Sequence, residues 1–371
     1  MDLSPEDSLR LNVLLANQPQ AIRINDSSMT VFGLSEQGEA RVDLNPTCRD
    51  EQYIKRVKEL ISGHVLGSPG GYPVYLQRWT RMGQMKDESL EQLLVLGEPE
   101  AVIAAVCAQG LTDELARRAW WAMEDAENAR HMLGKEAVCE GRMGPVLATY
   151  LVEHLPFETE PEKQIETIRL VLQEGLLDNE QVGDLWRKAG RKPPYFVGFL
   201  STRPDNIPEE QQAHRLYTGY AGRLRALADA GNPVAAVLAR ILSAQGQAWL
   251  HTLHKILRKP SNQDVINITF DEVARYFSPL RGQTADATLE ELGEEASAWL
   301  ASSDAAELLR IDAAFESPLL AARVLSGLSY GVVRPVFMGT TAIGSLMRKK
   351  LAPVMRQLEP HLSALTRQPP R

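Results

Sequence analysis

Hydrophobic and polar positions follow two rhythms along this chain. Near the start the period is two. Ala21-Ile22-Arg23-Ile24-Asn25, Met29-Thr30-Val31-Phe32-Gly33-Leu34 and Ala40-Arg41-Val42-Asp43-Leu44 are short, β-rich runs bounded by Asn-Asp-Ser-Ser and Glu-Gln-Gly-Glu turns. That pattern predicts a three-strand meander. From Arg49 the period lengthens, with apolar residues at Tyr53, Ile54, Val57, Leu60 and Ile61, a helical spacing. Leu66-Gly67-Ser68-Pro69-Gly70-Gly71-Tyr72-Pro73 breaks it, and Tyr72 to Trp79 reads as a further strand. Residues 1–85 are therefore expected to form a small α+β domain.

Residues 86–203 read as a run of short helices. Pro99, Thr112-Asp113, Asp125, Pro161 and Asp178 stand where caps and first-turn prolines belong. Gly97, Gly110, Gly134, Gly144 and Gly175 mark the stops. The run echoes itself. Glu98-Pro99-Glu100 is answered by Glu160-Pro161-Glu162, Gly110-Leu111 by Gly175-Leu176, Asp113 by Asp178 and Trp120 by Trp186. A repeat of roughly sixty residues is the mark of stacked helical units, which cannot bury their apolar faces alone. The expectation is HEAT-like stacking, and such arrays act more often as docking surfaces than as active sites.

Residues 204–371 are expected to form a C-terminal helical region. Glu209 to Ala230 and Pro233 to Leu257 read as long helices, the second opened by Asn232. Asn267 to Phe277 could begin as strand or turn, and Thr288 to Leu309 is acidic and amphipathic. Leu319 to Met347 is the most apolar stretch, but Arg323, Arg334 and Pro335 interrupt it. It reads as buried or partly interfacial helices, since a membrane span needs about twenty apolar residues. The basic, Pro-punctuated end from Arg348 is expected to fray. The fold class is thus mainly α.

Composition narrows the function. A net charge of −8 over 371 residues argues against a whole-surface nucleic-acid binder but leaves room for a local basic patch. Cys48, Cys107 and Cys139 form no CxxC pair, which fits a reducing compartment and no disulfide framework. The acidic N-terminus, Met1-Asp2-Leu3-Ser4-Pro5-Glu6-Asp7, does not read as a signal peptide. The expected location is cytoplasmic.

Most motifs dissolve on inspection. Gly327-Leu328-Ser329-Tyr330-Gly331 matches the nucleophile-elbow spacing. However, a helical pattern precedes Ser329, and no acid-then-His order follows it. Gly327 and Gly331 read instead as a close-approach helix face. Gly67-Ser68-Pro69-Gly70-Gly71 lacks the Lys-Ser/Thr pair of a phosphate loop and reads as a turn. His251 and His254 stand three apart but leave a zinc site incomplete, so they read as surface histidines. Glu158, Glu160 and Glu162 precede a helix start, where acids complement the dipole. Of Trp120 and Trp121, at least one is expected in the core. No metal site and no cofactor are expected. Cys107 lies in an apolar helical run and reads as buried. Cys48, beside Arg49 at a helix start, is the candidate reactive thiol.

Trp186-Arg187-Lys188-Ala189-Gly190-Arg191-Lys192-Pro193-Pro194-Tyr195-Phe196 is different, because it sets four cations among three aromatics in a Pro-Gly loop. Trp186, Arg187, Lys188, Arg191, Lys192 and Tyr195 are its candidate binding residues. Cations and aromatics anchor protein interfaces, while aromatic faces beside cations also suit unpaired RNA bases.

Several strings also carry a family resemblance. They are Leu9-Arg10-Leu11-Asn12-Val13-Leu14-Leu15, Leu66 to Leu76, Leu94-Val95-Leu96-Gly97-Glu98-Pro99-Glu100-Ala101-Val102, and Ala116-Arg117-Arg118-Ala119-Trp120-Trp121-Ala122-Met123. Together they resemble the DsrS family, accessory proteins encoded with the reverse dissimilatory sulfite reductase of sulfur-oxidising bacteria. The resemblance runs up to about Phe199. It implies a soluble cytoplasmic protein tied to oxidation of stored sulfur, with a part in regulating that machinery, and it brings no catalytic residues with it. The combined expectation is a non-enzymatic accessory or regulatory protein that binds a protein partner. The alternatives are a post-transcriptional regulator binding RNA through the basic-aromatic loop, and a sulfur-handling thiol protein using Cys48.

Overall fold

A computed structural model describes residues 3–82, 87–282, 286–339 and 342–367, with side chains described outside 77–89. The residue 85/86 boundary expected from the sequence lies outside the described residues. The chain divides into two compact units, Met1–Pro156 with Gln173–Leu177, and Phe157–Leu172 with Asp178–Arg371.

The first unit opens with α1 (Pro5–Ala16), capped by Ser4, whose side chain accepts from the Asp7 backbone N–H. The meander follows as β1 (Ala21–Asn25), β2 (Thr30–Ser35) and β3 (Gly38–Asp43), antiparallel in the order β1-β2-β3. These are the only strands among the described residues. Register places Ile24 opposite Val31 and Val31 opposite Val42 on one face, and Arg23, Phe32 and Arg41 in one row on the other. The sheet core joins Leu11, Leu14, Val31 and Val42 to Tyr53, Val57 and Ile61 of α2 (Asp50–Leu66). Inside it, Asp7 is fully buried and accepts hydrogen bonds from the Tyr53 hydroxyl and, at 2.8 Å, from the Asn45 backbone N–H.

Next comes α3 (Gly71–Met82), where the sequence pattern read as a strand. The helix wins because its first N–H groups are satisfied from afar. Gly71 N donates to Ser62 Oγ at 2.7 Å and Tyr72 N to Glu98 Oε2 at 3.2 Å. The unit continues through α4 (Asp87–Val95), α5 (Pro99–Cys107), α6 (Asp113–Ala122), α7 (Ala126–Leu133), α8 (Glu136–Cys139) and α9 (Met143–His154). α5 packs against α4, α6 and α7, and α7 packs against α9. Neither Trp120 nor Trp121 is fully buried. Trp120 meets Tyr150 edge-on at 4.7 Å. The Trp121 indole donates to Glu39 Oε2 at 2.9 Å, beneath the Arg23 guanidinium at 4.9 Å.

The second unit holds α10 (Pro161–Val171), α11 (Asn179–Ala189), α12 (Pro193–Thr202), α13 (Arg215–Asp229), α14 (Pro233–Leu242), α15 (Ala244–Arg258), α16 (Gln263–Tyr276), α17 (Leu289–Trp299), α18 (Ser303–Ile311), α19 (Glu316–Ser326), α20 (Tyr330–Phe337) and α21 (Gly344–Leu365). α12 is its axle, packed against α10, α11, α15 and α16. It is buried from Pro194 to Leu200, as an all-round apolar helix must be. Trp249 of α15 is fully buried, stacks on Tyr276 at 4.2 Å and donates to the Leu200 carbonyl.

The echoed residues do the same local jobs in both units. Pro99 and Pro161 open their helices, Thr112 and Asp178 cap the next ones, and each Trp stands the same distance after its cap. The mainly α fold with a small N-terminal α+β part and stacked short helices is thus observed.

Several element boundaries shift. The helix read over 233–257 is two, because Ser243 leaves helical geometry and caps α15 through Gly246 N. The pattern over 209–230 becomes helical only at Arg215, since His214 N donates to the Leu242 carbonyl instead. Thr288 to Leu309 also splits, with a new start after Ser302. Asn267 to Phe277 is helix throughout its first ten residues, as part of α16 capped by Asn262. The basic tail is an ordered helix to Leu365, held by a stripe of Met347, Leu351, Val354, Leu358, Leu362 and Leu365 packed against α19. Pro353 and Pro360 sit on its exposed side, where the carbonyls they orphan can reach water.

Candidate functional site

The basic-aromatic segment is the corner of a helical hairpin. An Asp178–Gln181 capping box starts α11, with Asp178 Oδ1 accepting from Gln181 N at 2.8 Å and Gln181 Oε1 accepting from Asp178 N at 2.9 Å. Val182, Leu185 and Ala189 then face the core. Arg187 and Lys188 fall in the last turn, where cations complement the helix dipole. The chain reverses over Gly190-Arg191-Lys192, with Arg191 N donating to the Lys188 carbonyl at 3.0 Å and Lys192 N to that of Ala189 at 3.1 Å. Pro193 opens α12.

This geometry separates the candidate residues. Arg187, Lys188 and Arg191 are exposed and Lys192 is half-buried, all at one corner. Arg187 pairs with Asp184 one turn back. The aromatics turn the other way. Tyr195 is 2% exposed, and burial pushes its phenol pKa up. Trp186 is half-buried and meets Phe196 at 4.9 Å and Phe199 at 5.0 Å, both edge-on. Tyr195 is therefore a core residue and not a contact for a partner.

A neighbouring cluster escaped the sequence reading. Glu209 lies between His251 and Lys255 of α15: His251 Nδ1 is 2.6 Å from Oε1, and Lys255 Nζ donates to Oε2 at 2.9 Å. Burial alone would raise the Glu209 pKa, but these two hydrogen bonds and the positive charge of Lys255 bring it down to about 2. Lys255 also lies over the rings of Phe196 at 5.5 Å and Trp186 at 5.7 Å. It thereby ties the 203–214 connector to the hairpin's aromatics. An adjoining cleft of about 560 Å³ is lined by Gln211, Gln247, His251, Thr366 and Arg367, among others. No sequence spacing pointed to this cluster, because its members are 42 and 46 positions apart.

The histidines are not the solvated pair expected. His251 is engaged by Glu209, and His254 is buried, with Nε2 3.4 Å from Thr366 Oγ1. Burial pushes the His254 pKa down. Among the described residues, no group of three or more His, Cys, Asp or Glu could hold a metal ion.

The thiols also rearrange. Cys107 ends α5 and is exposed, not buried, because the apolar face of that helix runs through Ala101, Val102, Ala105 and Val106. Cys48 is half-buried against the sheet core, and its thiol donates to the Arg49 carbonyl at 3.7 Å. Burial, with Glu140 adding to it, pushes the Cys139 thiol up. Ser329 is the N-cap of α20 and accepts from Gly331 N at 3.2 Å. It stands before a helix, but α19 and not a strand leads into it.

Compared with known proteins, the chain matches no family model, no curated protein and no solved structure.

Proposed function

We propose that this protein is a non-enzymatic accessory or regulatory protein that binds an acidic protein partner through the α11–α12 corner. The observation that carries this is the division at that corner. Arg187, Lys188 and Arg191 face solvent on a chain of net charge −8, while Tyr195 and the edges of Trp186 are packed inward. An RNA reader needs aromatic faces on which unpaired bases stack. A cationic corner on a rigid hairpin needs only complementary charge and steers association. The protein reading is therefore better supported than the RNA one. A sulfur-handling role for Cys48 has less support, given its half-buried, hydrogen-bonded thiol. Placement in cytoplasmic sulfur oxidation rests on the resemblance of the quoted strings to the DsrS family.

The test is a pull-down from cells grown on reduced sulfur, scored for protein and RNA, with wild type against Arg191→Ala/Lys192→Ala. Loss of a protein partner with the fold intact is the expected result, and the association rate should fall with added salt. Recovery of RNA alone, with a steep salt dependence, would replace this reading with the RNA one. Partner binding that ignores the double substitution would remove the corner from the function.

A further inference from the structure

The end of the second unit carries a charge pattern unlike the rest of the chain. Between Glu316 and Glu359 there is no Asp or Glu, but Arg323, Arg334, Arg348, Lys349, Lys350 and Arg356 are present. This stretch also holds a concentration of exposed aliphatic side chains. Met338 is 69% exposed, Ile343 71% and Leu346 56%. They sit where α20 ends and α21 begins. The rest of α21 buries its apolar stripe, so these three are surplus to the core.

The order of residues along the two helices is the informative part. Arg334 stands four positions before Met338 on α20, and Lys349 and Lys350 stand three and four positions after Leu346 on α21. Residues three or four apart share a helix face, so Met338 and Leu346 each have an exposed cation about 5 Å away, one helical turn further from the corner. Exposed apolar side chains thus border the end of α20 and the start of α21, with cations one turn further along each helix. The corner is anchored from below, with Gly344 N donating to the Ser261 carbonyl and Arg348 Nη1 to that of Pro260, both at 3.4 Å.

We infer that this corner docks on an anionic lipid surface, with Met338, Ile343 and Leu346 entering the headgroup boundary and Arg334, Lys349 and Lys350 meeting lipid phosphates. Interfacial elements bury apolar side chains about 5–10 Å deep, which matches one turn of helix ahead of the cations. Long cationic side chains then reach the headgroups while their stems stay apolar. The three exposed side chains include no aromatic anchor of the kind that fixes a protein interface, and lipid charge takes Lys and Arg alike. No helix among the described residues is long and apolar enough to cross a membrane, so the contact is peripheral. This inference stands apart from the α11–α12 reading.

The full chain should co-sediment with phosphatidylcholine vesicles containing phosphatidylglycerol, and far less with phosphatidylcholine alone. Ile343→Asp/Leu346→Asp should abolish sedimentation. Arg334→Glu/Lys349→Glu should weaken it at least about twentyfold, since each cation near the surface is worth about fivefold. All four positions being exposed or at helix ends, circular dichroism and melting should match wild type. Absence of sedimentation with anionic vesicles overturns the inference, as does equal binding to neutral vesicles. A concentration-dependent dimer that Ile343→Asp/Leu346→Asp makes monomeric, without vesicle binding, assigns the corner to a second copy and also overturns it.

Discussion

At single positions, exposure and hydrogen bonding decide chemistry more than neighbours in sequence do. Cys107 follows an apolar run yet is exposed, while Cys48 lies beside a cation yet packs against the core. Access is needed for a thiolate to react. Alkylation of the native protein should therefore label Cys107 first and Cys139 last, because burial raises the Cys139 thiol pKa. Mass spectrometry of partly labelled protein checks this, and faster labelling of Cys48 would restore it as the reactive thiol. Ser329 has a structural job, as its side chain caps α20. Ser329→Ala should cost about 1 kcal/mol and leave any esterase background unchanged, measured by denaturant unfolding and ester hydrolysis in parallel.

Individual elements show how distant partners overrule local pattern. α21 runs through two prolines because its buried stripe packs on α19 while both rings face water. Leu358 is 1% exposed in that stripe. Leu358→Ala should lower stability by about 2–5 kcal/mol. An effect near zero would mean that α21 is not docked as described. At the axle, a Cβ on Gly198 of α12 would lie 2.4 Å from Ile168 Cγ2 of α10. Gly198→Ala should therefore cost about 1–3 kcal/mol through overpacking, more than the ordinary helix-propensity gain of Ala can offset. Ile168→Ala removes the Cγ2 atom, so the double variant should lose less stability than the two single losses added together.

Across the whole molecule, titration couples to stability in both units, and the second unit holds the histidines that take part. Burial lowers the pKa of His214, His254 and His361 in the folded state, with Arg215 and Arg367 adding to the effect at His214. Below their unfolded value of about 6.5, the unfolded chain binds more protons than the folded one, so stability must fall as pH drops through that value. His214 also has a structural job in its neutral form, since its Nδ1 accepts from Leu216 N at 3.2 Å and caps α13. Protonation would destroy that acceptor. Glu209 shifts the same way, but its hydrogen-bonded partners overcome burial to lower it. Its folded pKa of about 2 lies below the ordinary 4.5, so its contribution is full above 4.5 and disappears as pH falls toward 2. Stability against denaturant should thus decline in two steps, from about pH 6.5 downward and again below about pH 4.5. His214→Asn keeps a capping acceptor and should lessen the first step, leaving the part due to His254 and His361. Glu209→Gln should lessen the second, with the remainder carried by Glu114, which its hydrogen bond to Arg117 also brings down to about 2.

What could be read in advance was what neighbours in the chain control. Thr112, Asp178 and Asn232 cap helices through N–H groups two or three residues on. Strand alternation and the Gly-Pro turns are equally local, so the mainly α fold and the N-terminal meander were legible. The four cations of the candidate site were legible too, all lying within residues 187–192. Which way Trp186 and Tyr195 face was not, because that depends on α12 being enclosed by α10, α15 and α16. The Glu209–His251 pair was hidden for the same reason, as it joins residues 42 positions apart. The break at Ser243, the exposure of Cys107 and the ordered tail share this origin. Helical periodicity marks an apolar stripe, but only contacts made far along the chain determine which residues at its margin are covered and which remain in water.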